Sequence, residues 1–120
     1  MTAEPIDAEL AARYRPRIEA ELAELDAASE ATSGDRAPVT LDQQSVGRLS
    51  RMDALQGQAM AAALEARRGQ RRLALEAALR RIGEGEFGWC ARCGDFIGEG
   101  RLDIDPAAMT CVVCAGEARQ

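Results

Sequence analysis

Residues 85–114 read GEFGWCARCGDFIGEGRLDIDPAAMTCVVC, and they hold all four cysteines of the chain. Cys90, Cys93, Cys111 and Cys114 are spaced C-x2-C-x17-C-x2-C. Each C-x2-C pair can form a tight knuckle that turns two thiolates toward one ion, and the spacer suffices for a short hairpin joining the knuckles. Gly94 follows the first knuckle, where a turn with positive φ excludes a Cβ. A four-thiolate tetrahedron leaves no open coordination position, so the expected zinc is structural. Two disulfides would suit a secreted miniprotein, but no basic, apolar-cored leader opens the sequence. Buried inert thiols would not need paired spacing. A redox dithiol needs only one pair and a βαβ setting that is not apparent here.

The remaining composition sets this stretch apart. Of the four aromatic residues, Phe87, Trp89 and Phe96 lie in or beside the cysteine region, and only Tyr14 lies elsewhere. Before residue 86 the chain is built from Ala, Leu, Arg and Glu, which suits long helices with thin seams. A module as small as the cysteine region cannot rest on a hydrophobic core, so metal must supply much of its stability. Net charge is −5 and histidine is absent. That excludes histidine-ligated metals and histidine acid–base catalysis. Net acidity argues against DNA binding driven by phosphate neutralisation. No apolar run reaches membrane-spanning length. A cytoplasmic protein, with its thiols reduced, is expected.

Upstream, Ile6, Leu10, Tyr14, Ile18, Leu22 and Leu25 form one helical stripe. Pro16 is expected to kink this helix or move its start. Arg13, Arg15 and Arg17 are expected to face water. Residues 31–38 are a connector rich in turn formers. Thr40, Asp42 and Gln43 then suit a helix N-terminus. The second helix reads from about Leu41 to Ile82, marked by Val46, Leu49, Met52, Leu55, Met60, Leu64, Leu75, Leu79 and Ile82. At full length it would span ~63 Å against ~37 Å for the first. Either it starts later, near Leu49, or part of it stands unpaired. Arg67, Arg68, Arg71 and Arg72 cluster in its middle. They read as a solvated face paired with glutamates, or as an anion or acidic-partner site. Phe87 and Trp89 are expected to pack the cysteine module onto the helix ends. Residues 95–97 and 101–104 alternate like two short strands. Asp105-Pro106 makes a turn, and residues 115–120 form a last helical turn.

The expected fold is therefore mainly α: an antiparallel helical hairpin (coiled coil), then a small four-cysteine zinc ribbon and a short C-terminal helix. The hairpin spans 1–84 (helix 6–30, tip 31–48, helix 49–82) and the zinc module spans 85–120.

This arrangement resembles the DksA/TraR family of bacterial transcription regulators. The residues that carry the resemblance are Gly85 to Trp89, the Cys90–Gly94 knuckle, Ile97-Gly98, Arg101-Leu102, Pro106 and the Cys111–Cys114 pair. The resemblance implies no enzymatic activity and no promoter binding through the ribbon. It implies a monomer that binds RNA polymerase through the secondary channel, with the coiled-coil tip near the active centre, and alters initiation. The family's best-known tip string, D-x-x-D-x-A, is absent here, and the family spacing from Cys90 falls on residues 47–52, which hold no carboxylate. Asp42 and the Asp53-Ala54 pair flank that window and are the tip candidates. Arg67, Arg71 and Arg101 are candidates for a basic partner or nucleotide patch of the kind the family uses for ppGpp. Asp105 stands before Pro106 where well-known members carry a basic residue, and an acid there repels phosphates. Two other functions fit the residues alone: a zinc-ribbon nucleic-acid binder using the arginine cluster, and a redox switch releasing zinc on thiol oxidation.

Overall fold

A computed structural model of the chain describes residues 6–36 and 47–118. The elements in order are helix α1 (Asp7–Ala31), a 3-10 turn (Ser33–Arg36), helix α2 (Arg48–Glu84), helix α3 (Glu99–Ile104) and helix α4 (Val112–Ala118). Among the described residues there is no strand, only an isolated antiparallel bridge between Trp89 and Phe96.

The chain forms two compact units that cut across both long helices. Unit 1 holds residues 1–22 and 72–120, and unit 2 holds residues 23–71. The start of α1 thus shares a unit with the end of α2, and the end of α1 with the start of α2. That is the pairing order of an antiparallel helical hairpin.

Unit 1 contains the core. On α1, Leu10, Tyr14 and Ile18 are buried, and on α2, Leu75, Ala78 and Ile82. The stripe read from the sequence of α1 is therefore the packing stripe, except that Ile6 stays exposed. Pro16 neither ends α1 nor moves its start. Its missing N–H removes one helical bond, and the helix continues because the stripe is buried on both sides of it. Phe87, Ile97, Leu102 and Ala107 complete the core, and Tyr14 packs on Phe87 with ring centroids 5.6 Å apart. The expected packing of Phe87 and Trp89 onto the helix ends is present: the Trp89 indole N–H reaches Asp7 Oδ1 at 3.4 Å.

Helix α2 starts at Arg48, the later of the two starts considered, with the Arg51 N–H bonded to Gly47 O at 3.0 Å. Its far end is a Schellman cap. Gly85 has φ +75, its N–H reaches Ile82 O, and the Glu86 N–H reaches Arg81 O at 2.9 Å. These bonds satisfy carbonyls that the helix end leaves open.

Unit 2 is built differently. Along α2 its half-buried positions include Ala54, Gln58, Ala61, Glu65 and Arg68, in alternating steps of four and three. This is a coiled-coil seam filled with small and polar side chains. Glu65 is its hub: it accepts from Ser29 Oγ at 2.7 Å and pairs with Arg36 at 3.0 Å and Arg68 at 3.3 Å. The Ser29 hydroxyl, then the Arg36 charge, holds the Glu65 carboxyl below its usual value. The apolar marks read along this half of α2 are not the seam. Leu49, Met52, Leu55, Met60 and Leu64 are all exposed. Tertiary pairing here follows the small-and-polar heptad instead.

Candidate metal centre

Two knuckles and their cross-links build the site. In the first, the Gly94 N–H returns to Cys90 O at 2.9 Å, and Gly94 holds φ +81. The Cys93 N–H points at Cys90 Sγ at 3.5 Å. In the second, the Cys114 N–H points at Cys111 Sγ at 3.5 Å, and the Ala115 N–H bonds Cys111 O at 2.9 Å as α4 begins. The knuckles are tied together where the Ala91 N–H bonds Met109 O at 2.8 Å and the Arg101 Nε–H donates to Thr110 O at 2.8 Å.

All four sulfurs lie within 4.8 Å of one another. The Cys93 and Cys111 sulfurs are 3.7 Å apart and all four cysteines are free. A tetrahedron of thiolates at ~2.3 Å from zinc has sulfur–sulfur edges of ~3.8 Å. A disulfide would need ~2.05 Å. The donor set therefore fits one structural zinc held by Cys90, Cys93, Cys111 and Cys114, and not a pair of disulfides. Without metal the thiols influence one another's ionisation. The Cys93 N–H lowers Cys90 to about 6. A hydrogen bond to Cys111 raises Cys114 to about 12.

The 17-residue spacer was expected to hold two strands. Its first half does turn back: the Ile97 N–H bonds Gly88 O at 2.8 Å, and the Trp89 and Phe96 rings pack at 5.3 Å. Its second half is instead α3. Leu102 and Ile104 would share a face in a strand, yet Leu102 is 0% exposed and Ile104 is 87% exposed. Gly98, at φ +105, turns the chain into the helix. The Asp105-Pro106 turn is present, with the Ala107 N–H on Asp105 Oδ1 at 3.0 Å.

Helix α3 presents Asp103 to α1. Arg13 Nη2 donates to both its carboxylate oxygens, at 3.1 and 3.0 Å, Tyr14 donates to Oδ1 at 2.8 Å, and Arg17 Nη2 donates to Asp103 O at 2.7 Å. The expectation that Arg13, Arg15 and Arg17 face water is thus corrected for two of them. They bind α3 while remaining about half exposed, and only Arg15 is confined to its own helix, near Glu19. The i, i+4 spacing of Arg13 and Arg17 was visible; their target, ninety residues away, was not. Burial, with the hydrogen bond to Asp103, raises Tyr14 to about 12.

The other candidates separate. Asp42 lies outside the described residues. Asp53 is exposed and Ala54 half-buried on α2. Arg67 is exposed and Arg71 half-buried, both in unit 2. Arg101 belongs to unit 1, where it braces the second knuckle.

The geometry defines a class: a four-cysteine zinc module carried on a helical hairpin. A family profile, the prokaryotic dksA/traR C4-type zinc finger, matches residues 85–120. That match covers the zinc module and leaves the helices before it unmatched. Among solved structures the chain is similar in fold to the transcription factor DksA2 from Pseudomonas aeruginosa. That match has a TM-score of 0.77 and 21% identity over 92% of this chain and 84% of that one. No curated protein sequence matches. No helix among the described residues is long and apolar enough to cross a membrane.

Proposed function

We propose that this chain is a bacterial transcription regulator that binds RNA polymerase and enters its secondary channel hairpin first. The observation that carries this reading is the zinc module of a regulator family joined to a helical hairpin with the fold of a transcription factor. The working parts are the hairpin, residues 1–84, and the zinc module, residues 85–120. The tip acts through Asp53 and Ala54, with Asp42 nearby in sequence. The zinc module braces the hairpin on the enzyme's outer face. The chain performs no chemistry of its own, works in the cytoplasm, engages polymerase as a monomer and does not read promoter sequence. Charge complementarity between an acidic hairpin and the channel would set its orientation and on-rate. Arg67, exposed on α2, would contribute to an acidic-partner patch in this reading, whereas Arg101 donates to Thr110 O within the zinc module. Asp105 argues against a ppGpp site built with this chain.

The test is co-purification with the host polymerase followed by transcription in vitro. The wild-type chain is expected to bind and to change initiation, and Asp53→Asn or Asp42→Asn to bind while losing that effect. Failure to bind polymerase overturns the reading. Binding with both variants fully active overturns the tip assignment alone.

A further inference from the structure

Unit 2 has its apolar surface on the outside. None of the buried core residues falls between 23 and 71 among the described residues. Leu49 and Met60 are 78% and 68% exposed on the side of α2 away from its half-buried seam, and Leu64, 47% exposed, lies at the seam's edge. Two exposed charges bracket this face. Asp53 and Arg67 are 14 residues apart, just under four turns, so they lie within about 40° of each other around the helix, with Met60 midway. The order along the helix is acid, thioether, base. Reversed end for end, that order complements itself: acid faces base twice and methionine faces methionine.

We propose that free chains pair as a two-fold symmetric dimer through this face, with the α2 helices antiparallel and Met60 at the axis. Asp53 of each copy then lies opposite Arg67 of the other. Leu64 of each copy lies near Gly57 of the other, where the missing Cβ faces open space within its own chain. Self-complementarity of this kind is what a two-fold interface requires. A single helix face makes a small interface, so the dimer is weak and concentration-dependent. Its consequence for the function proposed above is direct, and rests on that reading. Pairing covers Asp53, so the dimer cannot present its tip and only the monomer engages polymerase.

Sedimentation velocity on the full zinc-loaded chain tests the dimer independently of polymerase. A reversible monomer–dimer equilibrium is expected in the micromolar range. Asp53→Arg and Arg67→Asp should each weaken it about tenfold, and the two together should restore it, because the pair re-forms with its charges exchanged. Met60→Glu should abolish the dimer with helical circular dichroism unchanged. A chain that stays monomeric at hundreds of micromolar overturns the proposal. So does a dimer indifferent to both single charge changes, or one that the double exchange does not rescue.

Discussion

Tyr14 shows how a single side chain joins the two ends of the chain in sequence. Its ring fills the core and its hydroxyl donates to Asp103. The phenol is raised from 10.0 to about 12, so the folded state holds its proton more tightly than the unfolded one. The sign follows: this contribution is fully present below pH 10 and is lost as pH rises from 10 toward 12. As the sole tyrosine, Tyr14 can be followed by tyrosinate absorbance. The native midpoint is expected near 12, falling to about 10 in denaturant. Tyr14→Phe keeps the ring and removes one donor, at an expected cost of about 1 kcal/mol in denaturant unfolding. The sulfurs give a second residue-scale expectation. Zinc requires four thiolates, while metal-free Cys114 holds its proton up to about 12. Binding therefore expels protons, and zinc affinity should fall as pH drops. Competition with a chelating dye across pH measures it.

At the scale of the element, α2 is two helices in one. Its C-terminal turns bury Leu75, Ala78 and Ile82, while its N-terminal turns expose Leu49, Met52, Leu55, Met60 and Leu64. Leu75→Ala should cost about 2–5 kcal/mol, since Leu75 is fully buried and leaves a cavity. Leu49→Ala, at a site 78% exposed, should change monomer stability by less than ~0.5 kcal/mol. Equal losses at the two positions would contradict the placement of the core. At the cap, Gly85→Ala should lower stability by about 1 kcal/mol, because φ +75 strains an L-residue. Its new Cβ would also stand 3.1 Å from Asp7 Oδ2.

At the scale of the whole molecule, the zinc site and the hairpin base are one construction. Phe87, Ile97 and Leu102 come from the zinc module and are buried in the same unit as Leu10, Tyr14 and Ile18. Removing zinc with a chelator should therefore change Trp89 fluorescence and reduce thermal stability. A large part of the helical signal should survive, because α1 and α2 hold 25 and 37 residues. Trp89 fluorescence and a melting curve both unmoved by chelation would show that the metal carries no structural weight.

Several features are fixed by local chemistry and could be read from the residues. The cysteine spacing names the ligands, because a knuckle is a property of four consecutive residues. The stripe from Leu10 to Leu25 names the packing face of α1. Gly47, Gly85 and the Asp105-Pro106 pair mark turns, because glycine and proline act on their own dihedrals. The helix over residues 99–104 was hidden, because six residues with two apolar marks fit either period until Leu102 is buried and Ile104 left in water. The outward face of α2 was hidden too. Hydrophobicity alone does not say which side of a helix meets its partner when the partner's seam, with Ser29 and Thr32, offers hydrogen bonds to Glu65 and Arg68. Asp103 with Arg13, Tyr14 and Arg17 belongs to the same group. These contacts join residues almost ninety positions apart, and only folding brings such charges close enough to interact.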